Sequence, residues 1–151
     1  MPFYQANRRV PHSAEAMLDL VADAERYPEF VPYCLGLRIL RSVTGPDGRP
    51  TRIAEMTVGY GPIRESFVSR VVIDPVRLKL SVQNVDGPFS HLDNRWLFRD
   101  LGNGQSEVEF SIDYSFRSRA FELLAGSVFD RLFRKMADAF ILRADVVYGG
   151  A

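Results

Sequence analysis

Cysteine is nearly absent from this chain of 151 residues: Cys34 stands alone. It can close no internal disulfide, which fits a reducing compartment. Histidine is almost as scarce, and His12 and His91, far apart in sequence, cannot by themselves build a histidine-rich metal site. Neither sign of charge is in surplus, with Lys+Arg and Asp+Glu both at 19, so no global field recruits DNA or an anionic membrane. No run approaches the ~20 apolar residues of a membrane span. The opening MPFYQANRRV has no apolar signal core, so no targeting peptide is expected and the cytoplasm is the default location. Internal repeats and low-complexity tracts are missing too, and a chain of this length has the size of one domain, residues 1–151.

What the chain does have is a long helical stretch at its end, from about Arg119 to Tyr148. It contains no proline and one internal glycine, Gly126. At 3.6 residues per turn, Phe121, Ala125, Val128, Phe129, Leu132, Phe133, Met136, Ala137, Phe140, Ala144 and Val147 fall on one side. Asp130, Arg131, Arg134, Lys135, Asp138 and Asp145 fall on the other. The apolar face spans roughly half the circumference, wider than the ~100° stripe of an ordinary surface helix. One edge of it, Phe129, Phe133, Met136 and Phe140, is a row of large flexible and aromatic groups that some other part of the chain must cover.

That cover is legible upstream. Residues 3–10 read as a weak first strand ended by Pro11, and Ser13 as the N-cap of a helix carrying Met17, Leu18, Val21 and Ala22 at helical spacing. DAERYPEFVPYCL, residues 23–35, packs two prolines and three aromatics into a short bent connection. The period then changes to two in six segments: 35–43, 52–60, 63–73, 78–84, 90–100 and 107–116, with turn signals between them. In the last of these, Val108, Phe110, Ile112, Tyr114 and Phe116 alternate with Glu107, Glu109, Ser111, Asp113 and Ser115. Such alternation describes an antiparallel sheet that is dry on one face, and short turns without intervening helices describe a meander. The expected fold is α+β: a curved antiparallel sheet of about seven strands wrapped around a long C-terminal helix, with a short helical lid after the first strand.

Four blocks carry a family resemblance. They are Asp23-x-Glu25-x-Tyr27-Pro28-x-Phe30-Val31-Pro32-x-Cys34 in the bent connection; Phe67-x-Ser69-x-Val71; the strand positions Trp96-x-Phe98, Val108-x-Phe110 and Tyr114-x-Phe116; and Met136-x-x-Ala139-Phe140-x-x-Arg143-Ala144 late in the helix. In this order the chain resembles the coenzyme Q-binding START-domain family, which has the helix-grip fold and includes the bacterial ribosome-association (RatA-like) toxins, within a polyketide cyclase-like superfamily. The resemblance implies a hydrophobic ligand, with a polyisoprenoid quinone such as ubiquinone as the leading candidate, and a link to respiratory electron transport or quinone biosynthesis. It implies no covalent cofactor and no settled reaction.

A quinone carrier needs a long apolar slot and a few polar groups for the ring carbonyls. The candidate ligand-binding residues are Met56, Tyr60, Phe67, Asn94, Trp96 and Tyr114 from the dry face of the sheet, with Phe129, Phe133, Met136 and Phe140 from the helix. Each apolar member could equally be plain core, so the cavity rests on the set. The inward polar candidates Tyr60, Asn84, Asn94, Trp96 and Tyr114 need a neighbour, a water or a ligand, because a buried polar group without one costs about 1–3 kcal/mol. Tyr27, Pro28, Phe30, Val31 and Pro32 form a proline-stiffened apolar flap that either plugs the sheet end or gates the slot and touches a bilayer.

Other candidates point to structure. Asp23 and Glu25 read as caps or as partners of Arg26, Cys34 as a small buried hydrophobe, and Arg143 as a snorkelling group or a head-group contact at the slot mouth. No triad or metal-ligand spacing is present, so no catalytic residue and no metal ligand is assigned. The expected function is non-catalytic ligand binding, with peripheral contact at the inner face of the inner membrane. A ribosome-directed role through Arg117, Arg119, Arg131, Arg134 and Lys135 is the alternative. A polyketide cyclase-like enzyme is a third reading, which an inward acid–base pair would have to support.

Overall fold

Short turns force the middle of the chain into a meander. The computed structural model describes residues 3–149; Met1, Pro2, Gly150 and Ala151, the ends of the expected domain, lie outside the described residues. The elements run β1 (Phe3–Val10), α1 (Ala14–Ala22), a 3-10 helix (Ala24–Glu29), β2 (Cys34–Thr44), β3 (Pro50–Tyr60), β4 (Ile63–Asp74), β5 (Lys79–Asp86), β6 (Phe89–Gly102), β7 (Gln105–Phe116) and α2 (Arg119–Tyr148). All seven strands form one antiparallel sheet in the order β1-β7-β6-β5-β4-β3-β2. The β6–β7 turn passes through Asn103 and Gly104, both at positive φ, the combination a tight hairpin favours. Bulges in β2, between β4 and β5, and at both ends of the β6–β7 pair bend the strands. The α+β helix-grip fold expected from the sequence is the fold observed.

α2 begins where the Ser118 hydroxyl accepts the Phe121 N–H at 3.2 Å and stops at Gly149, whose φ of 90° breaks the helix. Its 30 residues extend about 45 Å, and Ala125, Val128, Phe129, Leu132, Phe133, Met136, Ala137, Phe140 and Ala144 are buried on the sheet. The helix outruns its cover: Val147, on the apolar side by periodicity, is 49% exposed.

α1 is capped by Ser13, which accepts from Ala16 N at 3.1 Å. At its other end Arg52 Nη1, reaching from β3, donates to the Ala22 carbonyl at 2.8 Å. That bond satisfies a helix-end carbonyl and fixes where the bent connection begins. The connection then folds back on itself, with Val31 N donating to Tyr27 O at 2.8 Å and Gly59 N to Tyr33 O at 2.9 Å.

Candidate functional site

Inside the sheet, between its concave face, α2 and the bent connection, lies an apolar cavity of about 60 Å³. Alternation along the strands delivers its walls: Ala54 and Met56 from β3, Phe67, Ser69 and Val71 from β4, Val82 from β5, Leu92, Asn94 and Trp96 from β6, Ile112 from β7. Leu37 joins from β2, Phe133 and Met136 from α2, and Ala24 and Tyr27 from the 3-10 helix. The turn after β5 passes close beside Phe67 and needs glycine there: a Cβ on Gly87, which sits at φ +135°, would come within 2.6 Å of Phe67 Cβ. The cavity is well short of the roughly 300–1,000 Å³ of ligand pockets. Any larger guest has to displace a wall.

Tyr27 closes the cavity with its ring and commits its hydroxyl elsewhere, donating it to the Val21 carbonyl. The ring stands edge-on to Phe140 at 4.9 Å. Burial, followed by the nearby Cys34 and Asp23 charges, raises its pKa, so the phenol stays neutral. Tyr27 is the one titratable side chain lining the cavity among the described residues. Asn94 uses one amide N–H on the Ser111 carbonyl at 2.9 Å. Ser69, 5% exposed, has a hydroxyl with no partner among the described residues.

Six of the expected ligand-binding residues come together at this cavity: Met56, Phe67, Asn94, Trp96, Phe133 and Met136. Four do not. Tyr60 is 55% exposed at the end of β3, where the hairpin turns away, and its ring meets Tyr33 at 5.5 Å. Tyr114 is buried, but its hydroxyl donates to Asp130 Oδ1 at 3.1 Å, so α2 itself supplies the partner this residue needed. Burial, then the Asp130 charge, raises its pKa. Phe129 is sealed among Phe67, Phe89, Phe116 and Phe133. Phe140 lies behind Tyr27, enclosed by Tyr27, Phe30 and Trp96. The aromatic edge of α2 therefore lines the cavity over one turn, Phe133 to Met136, and packs as core beyond it.

The flap residues also divide. Tyr27 lines the cavity and Val31 is buried. Phe30 lies between Phe140 and the Arg143 guanidinium, 5.0 and 5.1 Å away. Pro28 is exposed and Pro32 half-buried beside an outer groove. Ser69 was the missed position. It follows Phe67 by two in an alternating strand, so period-two counting alone places a polar group on the dry face.

The remaining candidates take structural places. Asp23 pairs with Arg26 at 3.3 Å. The Cys34 thiol is pushed up to about 11 by burial and is not poised as a nucleophile. Asn84 bonds backbone, accepting from Leu92 N at 3.0 Å and donating to Phe89 O at 3.4 Å. His12 is buried against Asp145, Nε2 to Oδ1 2.7 Å. Among the described residues no group of three or more His, Cys, Asp or Glu side chains is arranged to hold a metal. In the basic cluster Arg117 donates to Phe89 O at 3.0 Å and Arg134 to Asp130 at 3.1 Å. No helix among the described residues is long and apolar enough to cross a membrane.

The family described as polyketide cyclase / dehydrase and lipid transport matches residues 10–141. The chain belongs to that family. Within it, the chain is similar to the ribosome association toxin RatA of Escherichia coli (strain K12), 36% identical over 148 residues covering 98% of this chain and 90% of that protein. It is also similar to the mitochondrial coenzyme Q-binding protein COQ10 homolog B of Xenopus laevis, 31% identical over 149 residues, 97% of this chain and 59% of that protein. Among solved structures, the Zhui aromatase/cyclase from Streptomyces sp. R1128 superposes with a TM-score of 0.81 over 99% of this chain and 98% of that chain, at 16% identity. At that identity the likeness is one of fold, and fold alone confers no activity.

Proposed function

We propose that this protein binds a hydrophobic small molecule non-catalytically, with a polyisoprenoid quinone of the ubiquinone type as the ligand, and so supports respiratory electron transport or quinone biosynthesis. The observation that carries the reading is the apolar cavity between sheet and α2, closed by Tyr27 and lined by Trp96, Phe133 and Met136. An apolar interior with a few polar groups is what such a ligand needs. The coenzyme Q-binding name of the Xenopus relative supports the choice of ligand. A reaction on the guest would need an acid–base group at the cavity, and its one titratable lining residue holds its hydroxyl on a backbone carbonyl. Outside the Tyr27 segment, Phe30, Pro32, Ala139, Leu142 and Val146 line an outer groove with Lys135, Asp138 and Arg143 beside them. The apolar strip suits peripheral contact with a bilayer, from which a lipid would be collected. Organic extraction and mass spectrometry of the purified protein, with titration by a short-tail ubiquinone, test the reading. Absence of co-purifying lipid together with absence of quinone binding by the folded protein would sink it.

A second reading is favoured by the 36% identity to the ribosome association toxin: this chain binds ribosomal subunits and opposes their association. Exposed Arg119, Arg131 and Lys135 on α2 are the members of the basic cluster left, among the described residues, to meet RNA phosphates. Sedimentation profiles after overexpression decide it. Unchanged subunit and monosome peaks count against the ribosome, and a loss of monosomes that Arg119→Ala with Arg131→Ala reverses counts for it.

A further inference from the structure

Two buried hydroxyls have no hydrogen-bond partner among the described residues, those of Ser69 and Ser106. Ser106 is fully enclosed in β7 and is not among the residues lining the cavity. Ser69 is 5% exposed and lines it. A core-facing hydroxyl without a partner is less favourable than the methyl of an alanine, so Ser69 carries a cost that packing does not explain. A second polar group faces the same space. Asn94 is also 5% exposed, and with one N–H on the Ser111 carbonyl it keeps a second N–H and its own carbonyl.

Strand register sets the two groups apart on one concave face. Ser69 lies opposite Ala54 on β3 and Asn84 on β5. Val71, the next inward residue of β4, lies opposite Val82, and Val82 lies opposite Asn94. The two polar groups are therefore two strands apart, about 10 Å between strand axes, with Val71, Val82 and Trp96 between and around them. Among the described residues no cationic side chain lines the cavity, so a buried carboxylate or phosphate would go uncompensated. A neutral acceptor would not.

We propose that Ser69 and Asn94 are the polar seat of the cavity and hydrogen-bond a neutral ring bearing carbonyls on opposite sides. The Ser69 O–H and the free Asn94 N–H donate to the two ring oxygens. The ligand's apolar tail leaves between Met136 and Tyr27, the parts of the lining contributed by α2 and the bent connection. This assignment rests on the hydrophobic-ligand reading above and adds what that reading lacks: the end of the ligand that is recognised, and the residues that distinguish a quinone from a hydrocarbon of the same tail.

Trp96 is the only tryptophan in the chain and lines the cavity, so its quenching reports a quinone directly. The full-length chain is titrated with a ubiquinone carrying a two-isoprene tail, and displacement of a bound apolar dye reports an isoprenoid hydrocarbon of equal tail. Ser69→Ala is expected to weaken the quinone about tenfold, leave the hydrocarbon unchanged, and keep or raise the thermal midpoint, because it removes an unpartnered polar group. Asn94→Leu is expected to act in the same direction, and Ser106→Ala to change neither ligand. Quinone affinity unchanged in Ser69→Ala, or equal loss of both ligands, overturns the assignment, as does a wild-type protein that takes the hydrocarbon and refuses the quinone, which leaves the hydrophobic-ligand reading standing. A wild-type protein that takes neither ligand overturns both.

Discussion

Arg143 of α2 reaches Glu29 of the bent connection, Nη2 to Oε1 2.6 Å, and lays its guanidinium 5.1 Å from the centre of the Phe30 ring. The same segment carries Tyr27, whose ring closes the cavity. Arg143, expected from sequence to snorkel or to meet a ligand head group, ties the bent connection to the helix through this pair.

If this clasp governs opening, Arg143→Ala should speed ligand association several-fold with a small change in stability. Both partners are partly solvent-exposed, and such pairs contribute about 0–1 kcal/mol. Stopped-flow quenching of Trp96 and amide hydrogen exchange over residues 24–33 measure this. Unchanged exchange and unchanged association would remove the clasp from the mechanism.

Phe133 and Phe129 are both buried on α2, but one lines the cavity and the other does not. Either Phe→Ala change should cost about 3–5 kcal/mol of stability. Quinone affinity should fall more for Phe133→Ala, and more than for truncation at Val128, which is buried away from the lining. Chemical denaturation beside ligand titration separates the two effects. Greater damage to binding from Phe129→Ala or Val128→Ala would mean the wall is misplaced.

Tyr27→Phe removes the hydroxyl that Val21 O accepts and should destabilise by about 1 kcal/mol. Because the ring is kept, the cavity remains closed and equilibrium affinity should change little. A large loss of affinity would show that the hydroxyl meets the ligand.

Cys34, Tyr27 and Tyr114 all have pKa values raised by burial, Cys34 from 9.0 to about 11. A group held neutral in the folded state contributes stability in full below its unfolded pKa and loses it as pH rises toward the folded value. Thermal midpoints should therefore fall from about pH 9 upward, and Cys34→Ala should flatten the part between about 9 and 11. A flat wild-type profile through that window would contradict the burial argument.

His12 is 6% exposed and bonded to Asp145 at 2.7 Å, and Tyr148 donates to Ala16 O at 2.8 Å. These bonds tie the last turn of α2 to the segment around α1. Asp145→Ala strands a buried imidazole and should cost about 1–3 kcal/mol, with exchange rising first in residues 144–148.

Periodicity, caps and turns are local properties of the chain, so the sequence by itself determined the strands, the start of α2 at about Arg119, the meander and the dry face. The blocks around Tyr27 and Met136 were legible as separate motifs, and only the fold brings Tyr27 and Met136 to one cavity. Whether a dry-face residue borders a cavity or only another side chain depends on bulges, curvature and the lengths of the covering elements, which summed periodicity does not contain. Tertiary structure therefore decided that Phe129 and Phe140 pack as core while Phe133 and Met136 line the space. It gave Tyr114 a partner in Asp130 and put Tyr60 past the end of the cover. It also turned Ser69, a small polar residue easily passed over in an alternating strand, into an unpartnered hydroxyl facing an apolar interior, because burial and the lack of a partner exist only once the other strands are in place.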